Sequence, residues 1–188
     1  MNLLTKTLIN SSYRLEKITD LTGRYVSWLT LAMVLVTFSI VVLRYVFNTG
    51  WIAMQEAVTY MHASVFMLAA AYTLQLDAHV RVDIFYQKMS ATHKAMINLL
   101  GTLIFLLPVC GFILWVSWEY VLGAWEIKEG SREAGGLPGV YLLKTQIIIM
   151  AMLLMTQGIA IALKTIIQLF NLKPGNLSPT NNNNSVEQ

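Results

Sequence analysis

Residues 95–118 read AMINLLGTLIFLLPVCGFILWVSW, a run of apolar and small side chains without a single charge. Three other uncharged apolar runs lie at residues 25–43, 57–76 and 145–163. A hydrocarbon core about 30 Å thick is crossed by roughly 20 residues of α-helix, and a helix satisfies its own backbone hydrogen bonds within lipid. The four runs therefore predict an all-α integral membrane protein with four transmembrane helices.

The composition agrees with this class. Hydrophobic residues make up 56% of the chain and charged residues only 12%, whereas a soluble domain carries about 25% charged residues. The net charge of +3 comes from scattered basic residues without a basic run, so we expect no nucleic-acid partner. Cys110 is the single cysteine, which excludes an intrachain disulfide, and we interpret it as a small packing residue.

The basic residues divide unequally between the two sides of the four predicted helices. Nine fall on the side of the termini and of the 77–94 connection, and four fall in the 44–56 and 119–144 connections. The first set is Lys6, Arg14, Lys17, Arg24, Arg81, Lys88, Lys94, Lys164 and Lys173; the second is Arg44, Lys128, Arg132 and Lys144. The positive-inside rule therefore predicts that both termini are cytoplasmic.

Residues 1–24 precede the first apolar run and have an amphipathic pattern. Leu4, Leu8, Leu15 and Ile18 fall near one helical face, while the basic residues lie mostly elsewhere. This pattern is typical of a helix that lies on the membrane surface, in contact with lipid. We therefore predict a cytoplasmic interfacial segment over residues 1–24.

The connection between the second and third runs has a similar pattern. Val82, Phe85 and Met89 have helical spacing, which predicts a second short interfacial helix before Ser90 or Thr92 caps the third span.

Two further features concern the membrane domain, which we place at residues 25–170. Pro108 within the third run predicts a kink, because proline lacks an N–H group and clashes with the preceding turn. Residues 171–188 contain an asparagine run and no apolar periodicity, which predicts a disordered cytoplasmic tail.

The chain contains no motif of an enzyme. It lacks a GxxxxGK[ST] phosphate loop, an HExxH helix, a GxSxG elbow and a cysteine pair with metal-binding spacing. We therefore predict no catalytic residue, no substrate-binding residue, no metal site and no cofactor. Any transport must then depend on another subunit or on an ion gradient.

The ionisable residues near the helix ends are candidates for structural roles, because an unpaired charge at the bilayer centre is costly. Arg44 ends the first run and Glu56 begins the second, so their simplest role is an ion pair with each other or between subunits. His79 and Asp83 are four residues apart in the 77–94 connection, where they favour capping or contact with a partner. His62 lies within the second run, and a packing or hydrogen-bonding role is its simplest interpretation.

Three ordered pieces of the chain resemble a known family, the small membrane subunit, or DctQ type, of tripartite ATP-independent periplasmic (TRAP) transporters. The pieces are LRYVFNTGW (43–51), QEAVTYMHASVFMLAAAYTLQLDAHVRVDIFY (55–86) and GGLPGVYLLKTQ (135–146). Glu56, His79, Val82 and Asp83 stand where family members commonly have the same residues. Ala69 stands where many relatives have glycine.

This resemblance implies a noncatalytic subunit in a bacterial inner membrane, bound to a large elevator-type permease. The permease would carry the substrate and sodium sites, and a periplasmic binding protein would deliver carboxylate-type substrates for ion-driven uptake. Arg44, Trp51 and Glu56 would organise the outer end, and His79 and Asp83 the inner connection. Two alternatives remain at this point: a self-contained small proton-coupled transporter, and a membrane anchor of a respiratory enzyme.

Overall fold

The computed structural model describes residues 3–79, 86 and 88–169, and this part of the chain is helical apart from its connections. The elements are α1 (Leu3–Tyr45), α2 (Ile52–Leu68), α3 (Ala70–Gln75), α4 (Ala91–Gly101), a π-helical turn (Thr102–Leu106), α5 (Leu107–Glu126) and α6 (Val140–Leu169). Four helical stretches are long and apolar enough to cross a membrane: Lys6–Tyr45, Ile52–Gln75, Ala91–Glu126 and Val140–Leu169. The predicted all-α fold with four spans is therefore confirmed.

Helix α6 lies at the centre of the arrangement. It packs against α1, α2, α3, α4, the π turn and α5, whereas within the described residues α1, α2 and α3 make no contact with α4 or α5. Small residues on α6, including Ala151, Gly158, Ala160 and Ala162, are buried at these contacts and let the neighbouring helices approach closely. The protein is thus an open array around one helix, which gives the three other spans broad outward faces.

The N-terminal segment is helical, as expected, but it is not a separate helix. α1 continues without a break from Leu3 to Tyr45, since no proline or cap interrupts it. Ser12, Thr19 and Gly23 are buried along one face, and Glu16 on that face forms an ion pair with Lys164 of α6. Ile18 and Leu21 point outward. Small and polar residues therefore pack this segment onto the protein; of its predicted apolar face, Leu8 and Leu15 are half-buried and Ile18 is exposed.

The second and third spans each contain an irregularity. α2 and α3 meet at Ala69, where helical hydrogen bonds continue on both sides, from Ala69 N to Val65 O (3.1 Å) and from Thr73 N to Ala69 O (2.9 Å). In the third span the π turn comes immediately before α5, at whose first turn Pro108 lies. The wider winding of the π turn accommodates the clash that proline imposes on an α-helix, and the kink expected at Pro108 stays a prediction.

The predicted cap of the third span is confirmed at Ser90, whose hydroxyl accepts a hydrogen bond from His93 N at 3.4 Å. In the connection where a second short helix is predicted, residues 80–85 and 87, with Asp83, lie outside the described residues. The predicted tail, residues 171–188, also lies outside them.

Candidate functional site at the loop end

We call the end of the molecule where α1 and α5 end and α2 and α6 begin the loop end, because it carries the 127–139 connection. Glu56, in the first turns of α2, holds this connection in place. Its Oε1 accepts a hydrogen bond from the Ser131 hydroxyl, and its Oε2 accepts one from the Leu137 N–H at 2.6 Å. One carboxylate thus ties two separate points of the loop to the second span.

The loop is folded to meet this carboxylate. Ser131 N donates to Leu137 O at 3.0 Å, and Ser131 Oγ also accepts from Glu133 N at 3.0 Å. Gly135 has a φ of +80°, a conformation that glycine adopts without strain. A Cβ at Gly136 would overlap the side chains of Ser131 and Glu56, so the backbone can approach the carboxylate only with glycine there.

A second group of contacts joins α5 to α6 beside the loop. Lys144 of α6 forms an ion pair with Glu129, and its Nζ lies 3.9 Å from the centre of the Tyr120 ring. Trp125 Nε1 donates to Thr145 Oγ1 at 2.9 Å. These charge, cation–π and hydrogen-bond contacts lie at the border between the helices and the loop, where polar and aromatic side chains are well placed.

The structure does not form the intrachain ion pair expected between Arg44 and Glu56. The Glu56 carboxylate already has two donors from the loop, and Arg44 is exposed with no partner among the described residues. The internal pair is therefore wrong: the donors to the Glu56 carboxylate come from the 127–139 connection, and the exposed Arg44 side chain is not among them. Pairing of Arg44 with another subunit stays a prediction.

The other candidate residues are not brought together with Glu56. Trp51 precedes α2 in an extended conformation and is 66% exposed. His79 is exposed near the opposite end of the second span. No three histidine, cysteine or acidic side chains in the described parts of the chain are grouped so that they could hold a metal ion.

Sequence reasoning missed Ser131, Glu129 and Lys144 as partners at the loop end. Ser131 is 75 positions from Glu56, and no periodicity connects residues so far apart. The one signal in the sequence was the pair Gly135–Gly136, which marks a close approach of the backbone without naming what it approaches.

Polar side chains also join the helices away from the loop. Gln146 Nε2 of α6 donates to Ser64 Oγ of α2 at 2.7 Å. At the opposite end, Asn98 donates to the hydroxyl of Tyr86 at 2.9 Å. A cleft of about 510 Å³ lies near this pair, between α3, α4, the π turn and α6. The Gln146–Ser64 and Asn98–Tyr86 hydrogen bonds thus join helices or segments that are far apart in the chain.

Comparison with known proteins gives one positive result. No curated protein and no solved structure matches the chain. The family model described as "Tripartite ATP-independent periplasmic transporters, DctQ component" matches residues 33–172, which is well over half of the chain. The match includes the last part of α1 and the other three spans completely. The Glu56-anchored loop and the three spans packed around α6 are thus features of a protein that belongs to the DctQ component family of tripartite ATP-independent periplasmic transporters.

Proposed function

We propose that this chain is a noncatalytic scaffold for the large permease of a TRAP transporter in the bacterial inner membrane. The permease carries out ion-driven uptake by an elevator movement, and a periplasmic protein delivers its carboxylate-type substrates. The loop end faces the periplasm, and both termini lie in the cytoplasm. Family membership supports the role of small subunit. We propose the scaffold role, the substrate class and the orientation in addition.

The observation that carries the scaffold role is the open array around α6. Three spans pack on a central helix and leave wide apolar faces, with Phe38 of α1 66% exposed and Phe112 of α5 59% exposed. A permease domain that slides through lipid needs a stationary counterpart that resists being pulled along. A broad, rigid set of helices with aromatic residues at its borders supplies that resistance.

Arg44, Trp51 and Glu56 serve the loop end in this proposal. Glu56 shapes the loop from inside, whereas Arg44 and Trp51 remain exposed and available to another subunit. His79 and Asp83 serve the connection at the cytoplasmic end. None of these residues contacts substrate or sodium.

Affinity purification of the tagged chain from its native membrane in mild detergent tests the proposal. We expect a much larger polytopic protein in equal amount, identified by mass spectrometry. Reconstitution into proteoliposomes then separates the roles: the two membrane subunits with the periplasmic protein should take up substrate, and this chain alone should not. Transport by the chain alone would support the self-contained transporter, and a haem absorption band would support the respiratory anchor.

A further inference from the structure

The outward face of α2 carries aromatic and polar side chains in one line. Trp51, Gln55, Thr59, His62 and Phe66 are all exposed, and we call this set the α2 stripe. Their spacings of four, four, three and four residues place them on one side of the helix at about 100° per residue. The stripe runs from the loop end well into the second membrane span, Ile52–Gln75.

The polar members of the stripe are only partly satisfied by the chain itself. The Thr59 hydroxyl donates to Gln55 O at 3.3 Å, which settles that group within the helix. The side-chain amide of Gln55 and the imidazole of His62 have no hydrogen-bond partner among the described residues. Lipid tails offer neither donors nor acceptors, so polar groups in a span face a protein or a water-filled space.

The rest of α2 already serves the fold of this chain. Glu56 binds the loop, Ser64 accepts a hydrogen bond from Gln146, and Ala71, in α3 of the same span, is fully buried. The exposed polar side chains in the middle of α1 are hydroxyls, Thr30, Thr37 and Ser39, which can bond to their own helix, whereas the stripe carries an imidazole and a side-chain amide. Val34, Leu35 and Phe38 of α1 are exposed and apolar, as are Val109, Phe112 and Val116 of α5. Those faces suit lipid, whereas the α2 stripe suits a polar partner.

We propose that the α2 stripe is the surface on which a transmembrane helix of the large permease subunit docks. That helix supplies a hydroxyl, amide or carboxylate group at the depth of His62, and apolar side chains against Trp51 and Phe66. Histidine and glutamine join membrane helices in this way by hydrogen bonds across the interface. The inference rests on the proposed function, because the permease is the partner which that function requires.

A second copy of this chain fits the stripe less well. A two-fold axis along the stripe would set each residue against its own copy, so His62 would meet His62 and Phe66 would meet Phe66. A partner with a different sequence can offer a separate complement to each position.

Three phenylalanines of similar exposure allow a matched crosslinking test. Phe66, Phe38 and Phe112 are 73%, 66% and 59% exposed on α2, α1 and α5. Each is replaced in turn by the photoreactive analogue benzoylphenylalanine in the full chain, produced together with the permease. We expect a crosslink to the large subunit from position 66 and much weaker crosslinks from positions 38 and 112.

Crosslinks to the permease from position 38 or 112 that equal or exceed those from position 66 would overturn the assignment of the surface. A crosslink from position 66 to a second copy would overturn it as well. If position 66 gives no crosslink while the permease still copurifies, the α2 stripe is not the docking surface, and the proposed function stands. If the permease does not copurify with the unmodified chain either, the proposed function itself is wrong.

Replacement of the imidazole provides an independent measurement. His62→Leu should reduce the copurified permease by about threefold or more, which corresponds to an average hydrogen bond between membrane helices. Ser39→Leu is the control, because Ser39 is exposed on α1 and its hydroxyl already donates to Leu35 O at 2.9 Å. Equal copurification of the two variants, both monodisperse in detergent, would contradict a role for His62 in docking.

Discussion

At the scale of single residues, Glu56 shows how one side chain sets the shape of a loop. Its two oxygens accept from Ser131 and from the backbone of Leu137, in an environment that is only partly exposed. A hydrogen bond to a charged group contributes about 1.5 to 3 kcal/mol, and its loss leaves the partner donor unsatisfied. The loop therefore depends on Glu56 more than on the loop's own short-range bonds.

Glu56→Ala should loosen the loop, because both hydrogen bonds are lost together. We expect faster hydrogen exchange at the Leu137 amide and in the peptides that cover residues 129–137, a lower thermal midpoint in detergent, and less copurified permease. Glu126→Ala serves as the control, since Glu126 is an exposed carboxylate at the end of α5. Equal exchange, equal midpoints and equal copurification in the two variants would show that Glu56 does not anchor the loop.

At the scale of helices, the contacts depend on small residues at positions where two backbones come close. Gly23 of α1 faces Tyr72 of α3, and Gly158 of α6 faces Leu106 and Thr102 of the π turn. Gly111 of α5 has open space around the position of a Cβ. Glycines inside helices thus have different roles, which the packing distinguishes.

Gly23→Ala should destabilise the protein, whereas Gly111→Ala should not. A Cβ at Gly23 would overlap Cβ and Cγ of Tyr72, which lie close to the backbone and cannot turn away, and such overpacking costs about 1–3 kcal/mol. At Gly111 the methyl group enters free space, and the change from glycine to alanine favours a helix by about 0.5–1 kcal/mol.

Thermal unfolding in detergent, followed by circular dichroism, measures the difference between the two glycine variants. A midpoint for Gly23→Ala at or above that of the unchanged chain would contradict the close contact between α1 and α3.

The third span contains one feature that the local sequence predicts only in part, the π turn before Pro108. Pro108 predicts a kink from the sequence, and the structure shows a π turn that ends two residues earlier, at Leu106. Proline explains why the regular ladder is interrupted near this point. Thr102 and Leu106 of the turn also lie next to Gly158 of α6, a neighbour that the local sequence does not reveal.

At the scale of the whole molecule, the charges favour one orientation in the membrane. Lys128, Arg132 and Lys144 lie at the loop end, whereas the more numerous basic residues lie toward the other end, among them Lys94 and Lys164. The positive-inside rule then predicts that the loop end faces the periplasm. Helix packing itself is the same for either orientation, so a labelling experiment has to decide.

Arg132→Cys should react with a membrane-impermeant maleimide in intact cells, and Thr92→Cys only after the membrane has been opened. Both positions are exposed, one in the loop and one at the start of α4. The native Cys110 is 2% exposed, so it contributes little background. The reverse pattern of labelling would place the termini in the periplasm.

The class, the number of spans and the family are all readable from the amino-acid sequence. Lipid forces every spanning segment to be long, apolar and internally hydrogen-bonded, so each span is readable from its own residues. Three features are visible only in the folded protein. Helix α6 lies at the centre, and Ser12, Thr19 and Gly23 face the protein. Glu56 accepts hydrogen bonds from the loop and does not pair with Arg44. Such contacts join residues far apart in the chain, and their partners are chosen by the packing of whole helices, which no local pattern contains.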